Sequence, residues 1–206
     1  MPTPSLRALT DRHRTTAANR RLGVLLAFVA GAMNAGGFLL LHRYTSHMTG
    51  IVSGLADDLA LGAYDLVVTG LLLVLSFVFG AVTTALLANG ARRREWRGEY
   101  APCLAFEGLL LLVFATVMHR WGDSAGAVAA SMALLCFVMG LQNAMVTKVS
   151  RAEIRTTHVT GILTDIGIEV GRWLYGVLGG APAANRVRPN GERLALLGGL
   201  LGSFVP

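Results

Sequence analysis

Two short strings repeat the same order of polar residues within an otherwise apolar chain. Ser46-His47-Met48-Thr49-Gly50-Ile51 and Thr157-His158-Val159-Thr160-Gly161-Ile162 each place a histidine two residues before a Thr-Gly pair. Glycine beside threonine lets the backbone leave helical geometry while the hydroxyl meets the freed carbonyls and amides. A helix restarting after Gly50 or Gly161 would point its positive end into the protein, a seat for an anionic group. The competing reading is packing, since Gly50-x-x-x-Gly54 and Gly167-x-x-x-Gly171 are also small-residue helix contacts. Asn34 and Asn143 lie inside apolar runs, where a carboxamide must either join helices or coordinate a solute. Asn34, Thr49, Gly50, Asn143, Thr160 and Gly161 therefore form the candidate substrate-binding set. His47 and His158 are candidate gating residues because imidazole titrates near neutral pH, the alternative being an interfacial cap on the segment that follows.

Five carboxylates sit within or beside apolar runs. Glu107 lies six residues into its run, and Asp165 and Glu169 are four apart on one helical face with Arg172 three further on. Carboxylates at membrane depth are costly and usually face a bundle interior or water, so Glu107 and Asp165 are candidate proton-coupling residues. A Glu169–Arg172 pair and a headgroup position for Glu107 are the structural alternatives. Asp57 and Asp58 read as the wet end of a short segment. No catalytic set emerges, since Ser53 with His47 or His158 lacks a third group. No close His/Cys/Asp spacing suggests a metal, and no Walker-type loop or other cofactor motif is present. Cys103 and Cys136, both in apolar runs, read as buried thiols.

The elements that hold these residues follow from composition. Of 206 residues, 53% are hydrophobic and 15% charged, with a mean hydropathy of +0.56. A soluble domain carries about a quarter of its residues as charge, so one compact core could not hide this much apolar surface. The net charge of +6 does not indicate nucleic acid, because the basic residues cluster between apolar runs, as in proteins oriented in a bilayer. Leu22–Leu41, Leu66–Ala88, Ala101–Met118 and Ala125–Val146 are each 18 to 23 residues long. About 20 apolar residues cross the ~30 Å of hydrocarbon, and lipid forces them to be helical. Met48–Ala63 and Val159–Gly180 are less regular. The last run, Leu194–Val205, is about half a span, which suggests a shortened C-terminus or a helix that needs a partner. The first run is too long for a signal peptide and follows a polar arm, so it is expected to be retained.

The chain also matches itself. GAMN at 31–34 corresponds to GLQN at 140–143, and the stretch from Ser46 to the one from Thr157, with Asp58 opposite Glu169. If both Thr-Gly segments dip in and return, 16 of 18 basic residues fall on the side of the N-terminus, against 10 if both cross and 12 if only the first re-enters. The positive-inside bias then favours re-entry and a cytoplasmic N-terminus. That choice inverts the second unit relative to the first. The expected architecture is an all-α polytopic bundle: a cytoplasmic arm over 1–21 and one membrane domain over 22–206. Its repeat units cover about 22–90 and 125–206, joined by a linker helix over 101–118, with two interrupted or re-entrant segments.

Through GAMNAGGFLLLHRYTSHMTGIVSGLADDLA and GLQNAMVTKVSRAEIRTTHVTGILTDIG, the chain resembles the YoaK family, catalogued as domain of unknown function 1275. The resemblance covers roughly Gly23 to the end and implies a small multi-helix protein of the bacterial inner membrane, of a kind often named as transporters. The family often reads MTGN where Ile51 follows Gly50 here, and it usually continues past Pro206. Repeat, interrupted segments and buried acids together point to a secondary transporter of a small solute, proton-coupled through Glu107 or Asp165 and not an enzyme. The alternatives are a non-catalytic scaffold or sensor subunit and, less favoured, an intramembrane enzyme. The expected partners are the bilayer, an unidentified small solute and a second copy of the chain in a homo-oligomer, with no nucleic acid.

Overall fold

A computed structural model describes residues 16–41, 45–96, 98–122, 124–149, 162–170 and 190–204. Within them lie α1 (Thr16–Leu41), α2 (Met48–Ala60), α3 (Tyr64–Arg93), α4 (Ala101–Trp121), α5 (Ala125–Val149) and α6 (Gly191–Phe204), with a further helical stretch over 162–170. There is no strand among the described residues. The chain is thus all-α, and α1, α3, α4 and α5 are each long and apolar enough to cross a membrane. The helices overrun the apolar runs at their ends. α1 takes in the last six residues of the basic arm, and α3 continues to Arg93. Each added residue gains a backbone hydrogen bond once a helix exists, so a polar residue does not stop it.

What does stop the helices is local. α2 ends where Gly62 adopts φ 71° and the Ala63 N–H reaches back to the Asp58 carbonyl at 2.8 Å. That left-handed residue reverses the chain and lays α2 against α3, a geometry glycine adopts without steric cost. α4 opens with a proline in its first turn, where the missing N–H costs nothing.

The most extensive packing joins α3 to α5. A Cβ at Gly80 would lie 1.9 Å from the Phe137 carbonyl oxygen, and one at Gly140 would lie 1.9 Å from that of Phe77. The two backbones therefore touch, which only glycine at both positions permits. The buried Thr84 hydroxyl donates to the Leu141 carbonyl at 2.7 Å beside this crossing. Further along, Lys148 reaches the Asn89 side chain at 3.4 Å. Contacts that advance together along both helices mean that α3 and α5 run parallel. α4, tied to each by a short turn, runs against them.

α1 packs on α5 in the opposite sense. Leu22, Leu26 and Ala27 share a core with Leu141, Met145 and Val146, Ala30 and Met33 meet Val138 and Met139, and Gly37 faces Leu135. α6 lies parallel to α1, with Arg20 on Glu192 at 3.1 Å and Gly199 beside Val24. α5 is thereby surrounded by α1, α3 and α4, whereas α3 turns a long apolar face outward, including Leu71, Leu72, Val78, Phe79 and Val82. In a bilayer that face meets acyl chains, which are as apolar as the residues themselves.

The glycine crossing yields a direct expectation. Gly80→Val or Gly140→Val should lower the stability of the detergent-solubilised protein by about 1–3 kcal/mol or more, because the clash is with backbone and cannot relax by a rotamer change. Gly108→Ala, where an added Cβ meets nothing within 4 Å, should leave it unchanged. Thermal melting followed by size-exclusion chromatography measures both.

Candidate functional site

Thr45 and Ser46, just ahead of α2, pack against α5 and α1. Asn34 lies two turns before the end of α1, yet its Oδ1 accepts from the Ser46 hydroxyl at 2.9 Å and the Ser46 N–H at 3.4 Å. Thr45 is only 2% exposed, packed beside Gly37, and its carbonyl accepts from the Cys136 thiol at 3.5 Å. Cys136 stands near the middle of α5, so the start of α2 lies at about half the depth of the bundle. From there α2 runs 13 residues, roughly 20 Å at ~1.5 Å per residue, and leans on α3 through Ile51 and Leu55 against Gly70.

A cavity of about 450 Å³ lies between α2, α3 and α5. Thr45, His47 and Gly50 line its inner end, and Asp58, Leu66 and Thr69 its outer part. The first turn of α2 has no side-chain cap at His47, and His47 and Gly50 of that end line the cavity. The His47 ring rests on Gly50: a Cβ there would lie 2.1 Å from its Cδ2. The Thr45 hydroxyl finds no hydrogen-bond partner among the described residues, an uncommon state for a buried group.

A second polar group lies between α4 and α5. Glu107 is 4% exposed and Gln142 fully buried, and the Gln142 amide N–H donates to Glu107 Oε1 at 3.0 Å. Glu107 Oε2 and Gln142 Oε1 have no partner among the described residues. The pair is thus half satisfied, with two acceptors and no donor between them. A carboxylate in such a place interacts strongly with any proton that reaches it.

The expected site residues separate into distinct places. His47 and Gly50 line the cavity, Asn34 pins its entry turn, and Thr49 is exposed and outside the lining. Asn143 is half-buried on α5, and Glu107 of α4 is in its own pair with Gln142. Asp165 sits near the start of α6, bound to Arg193 at 3.1 Å and part exposed. Glu169 is buried and accepts from the Asn190 N–H at 2.9 Å. His158, Thr160, Gly161 and Arg172 lie outside the described residues. Both cysteines are buried and free, and no group of three or more His, Cys, Asp or Glu that could hold a metal occurs among the described residues. Two site residues escaped sequence reasoning. Gln142 was hidden beside the matched Asn143, although an amide in an apolar run is itself a signal. Thr45 stands just before the Ser-His-x-Thr-Gly string and carried no signal of its own.

A family model described as a protein of unknown function (DUF1275) matches residues 22–205. No curated protein and no solved structure matches the chain.

The Glu107–Gln142 pair can be tested by a double-mutant cycle. Gln142→Leu should destabilise the protein by about 1–3 kcal/mol, since it strips the carboxylate of its donor, and Glu107→Leu should cost a similar amount. The double variant should recover most of either loss, because neither position then carries a buried polar atom without a partner. Thermal melting of the four proteins gives the coupling.

Proposed function

The chain belongs to the DUF1275 family, and on that footing we propose that it is a secondary transporter of a small solute in the bacterial inner membrane, coupled to protons through Glu107. The observation that carries the reading is the half-depth cavity behind α2, where a helix end without a side-chain cap and an unpartnered threonine hydroxyl meet. Transporter sites of this kind form where a broken helix presents its amide end near midplane. Glu107 supplies the coupling chemistry. A proton on Oε2 gives Gln142 Oε1 the donor it lacks, so the pair has one arrangement when loaded and another when empty.

Helix directions support an inverted repeat. α1 and α5, which carry GAMN and GLQN, run antiparallel. α3 packs on α5 as α6 packs on α1, and α2 lies on α3 as the stretch over 162–170 lies on the start of α6. In this reading α2 re-enters rather than crosses, the N-terminus is cytoplasmic, and the segment over 157–162 supplies the second half of the site. His47, seated on Gly50, is the gate on the cavity side, and Asp165 is freed from coupling by its ion pair with Arg193.

Proteoliposomes loaded with a pH-sensitive dye test the transport step. Among small solutes added outside, at least one should drive proton entry, and Glu107→Gln should reduce that flux at least tenfold while insertion is normal. Gly50→Leu should do the same by displacing the His47 ring. Proton entry unchanged in Glu107→Gln would remove the coupling role.

Orientation is tested separately. A cysteine at position 97 should resist a membrane-impermeant maleimide added to intact cells and react after permeabilisation, whereas one at position 61, in the α2–α3 turn, should react in both.

A further inference from the structure

At the end of α3 the helix closes in an unusual way. Glu95 adopts φ 53°, a left-handed conformation that costs a residue with a Cβ about 1 kcal/mol or more, and the Trp96 N–H reaches back to the Ala91 carbonyl at 3.0 Å. This folds Trp96 back beside the last turn of α3. Together with Leu86, Leu87, Gly90 and Pro102 of α4, the indole encloses a groove of about 610 Å³ rimmed by Arg93 and Arg94.

The charges at this end are already sorted. Arg92 is bound by the buried carboxylate of Glu99, through Nε at 3.1 Å and through Nη2. Arg93 and Arg94 have no ion pair among the described residues; the Arg94 guanidinium lies over the Trp96 ring at 5.9 Å. Glu95 is the nearby opposing charge, and it is not part of the groove wall. Two guanidiniums thus stand at the mouth of an apolar slot, at the point where a membrane-crossing helix leaves the hydrocarbon. An added Cβ at Gly90 meets nothing within 4 Å, so the slot is open along its floor.

We propose that this groove is a binding site for one anionic phospholipid, whose phosphate is held by Arg93 and Arg94 and whose acyl chain lies along Leu86 and Gly90 beside Trp96. Arginine forks match a phosphate bidentately, and indole favours the headgroup boundary. The apolar length of the slot fits a lipid where a free phosphate would use only its rim. The site is separate from the cavity behind α2 and does not depend on transport.

The test uses the full chain with Trp121→Phe and Trp173→Phe, so that Trp96 alone fluoresces, in nanodiscs of phosphatidylcholine with 10% of a lipid brominated on its chain. Brominated phosphatidylglycerol should quench Trp96 at least twofold more than brominated phosphatidylcholine. Arg93→Gln/Arg94→Gln should abolish that preference. Gly90→Leu, which fills the slot and keeps both arginines, should also abolish it, with melting temperature unchanged. Equal quenching by the two lipids in the parent, or a preference that survives Gly90→Leu, would overturn the proposal. So would loss of the preference on adding 10 mM inorganic phosphate at constant ionic strength, which would reassign the rim to a free anion.

Discussion

The bundle rests on one close approach, the backbone contact of α3 and α5 at Gly80 and Gly140. In hydrocarbon, helices gain little from burying apolar side chains against one another, since lipid is as apolar as leucine. What distinguishes protein from lipid as a neighbour is how near two backbones can come and which hydrogen bonds they can then make. The paired glycines bring the axes together, and the Thr84 hydroxyl reaches the Leu141 carbonyl because of it. Once α3 is fixed to α5, the short turns at either end of α4 leave it a single place, and α1 closes the remaining side. Removing the crossing would deprive α3 and α5 of their closest contact.

Around that frame the polar groups are few and each is tied to a bend or an interface. The Asn34–Ser46 bond holds the start of α2 beside α1, with Thr45 at the level of Cys136. The Glu107–Gln142 bond spans α4 and α5 in the buried interior. Asp165–Arg193 and Glu169–Asn190 sit where 162–170 meets α6. An amide or carboxylate in an apolar interior commits the fold to one register, because any shift leaves it without its partner.

The four spans were legible in the sequence because lipid leaves long apolar runs only one form, and their length alone identifies them. Their ends were not, since Thr16 and Arg93 continue helices by backbone bonding that hydropathy does not register. The short length of α2 was foreshadowed by the Asp57-Asp58 pair. The Gly80–Gly140 crossing was hidden among 25 glycines in apolar surroundings, where nothing in residue type marks the two that touch. Asn34 and Asn143 drew notice as a matched pair; Asn34 lies beside the turn into the cavity, and Asn143 stands half-buried on α5. Gln142 and Thr45 matter through what faces them, which a single chain does not spell out.

α2 contributes no buried residue, although it forms one wall of the cavity. An element with its outer surface wholly in contact with its surroundings owes much of its position to them. Lateral pressure and local thickness of the lipid leaflet thus become variables of the cavity itself, as much as its side chains are. Solubilisation exchanges that outer support for a mobile micelle. Affinities measured there describe a vessel with one slackened wall, and a bilayer mimic of matched thickness is the medium in which the cavity has its proper shape.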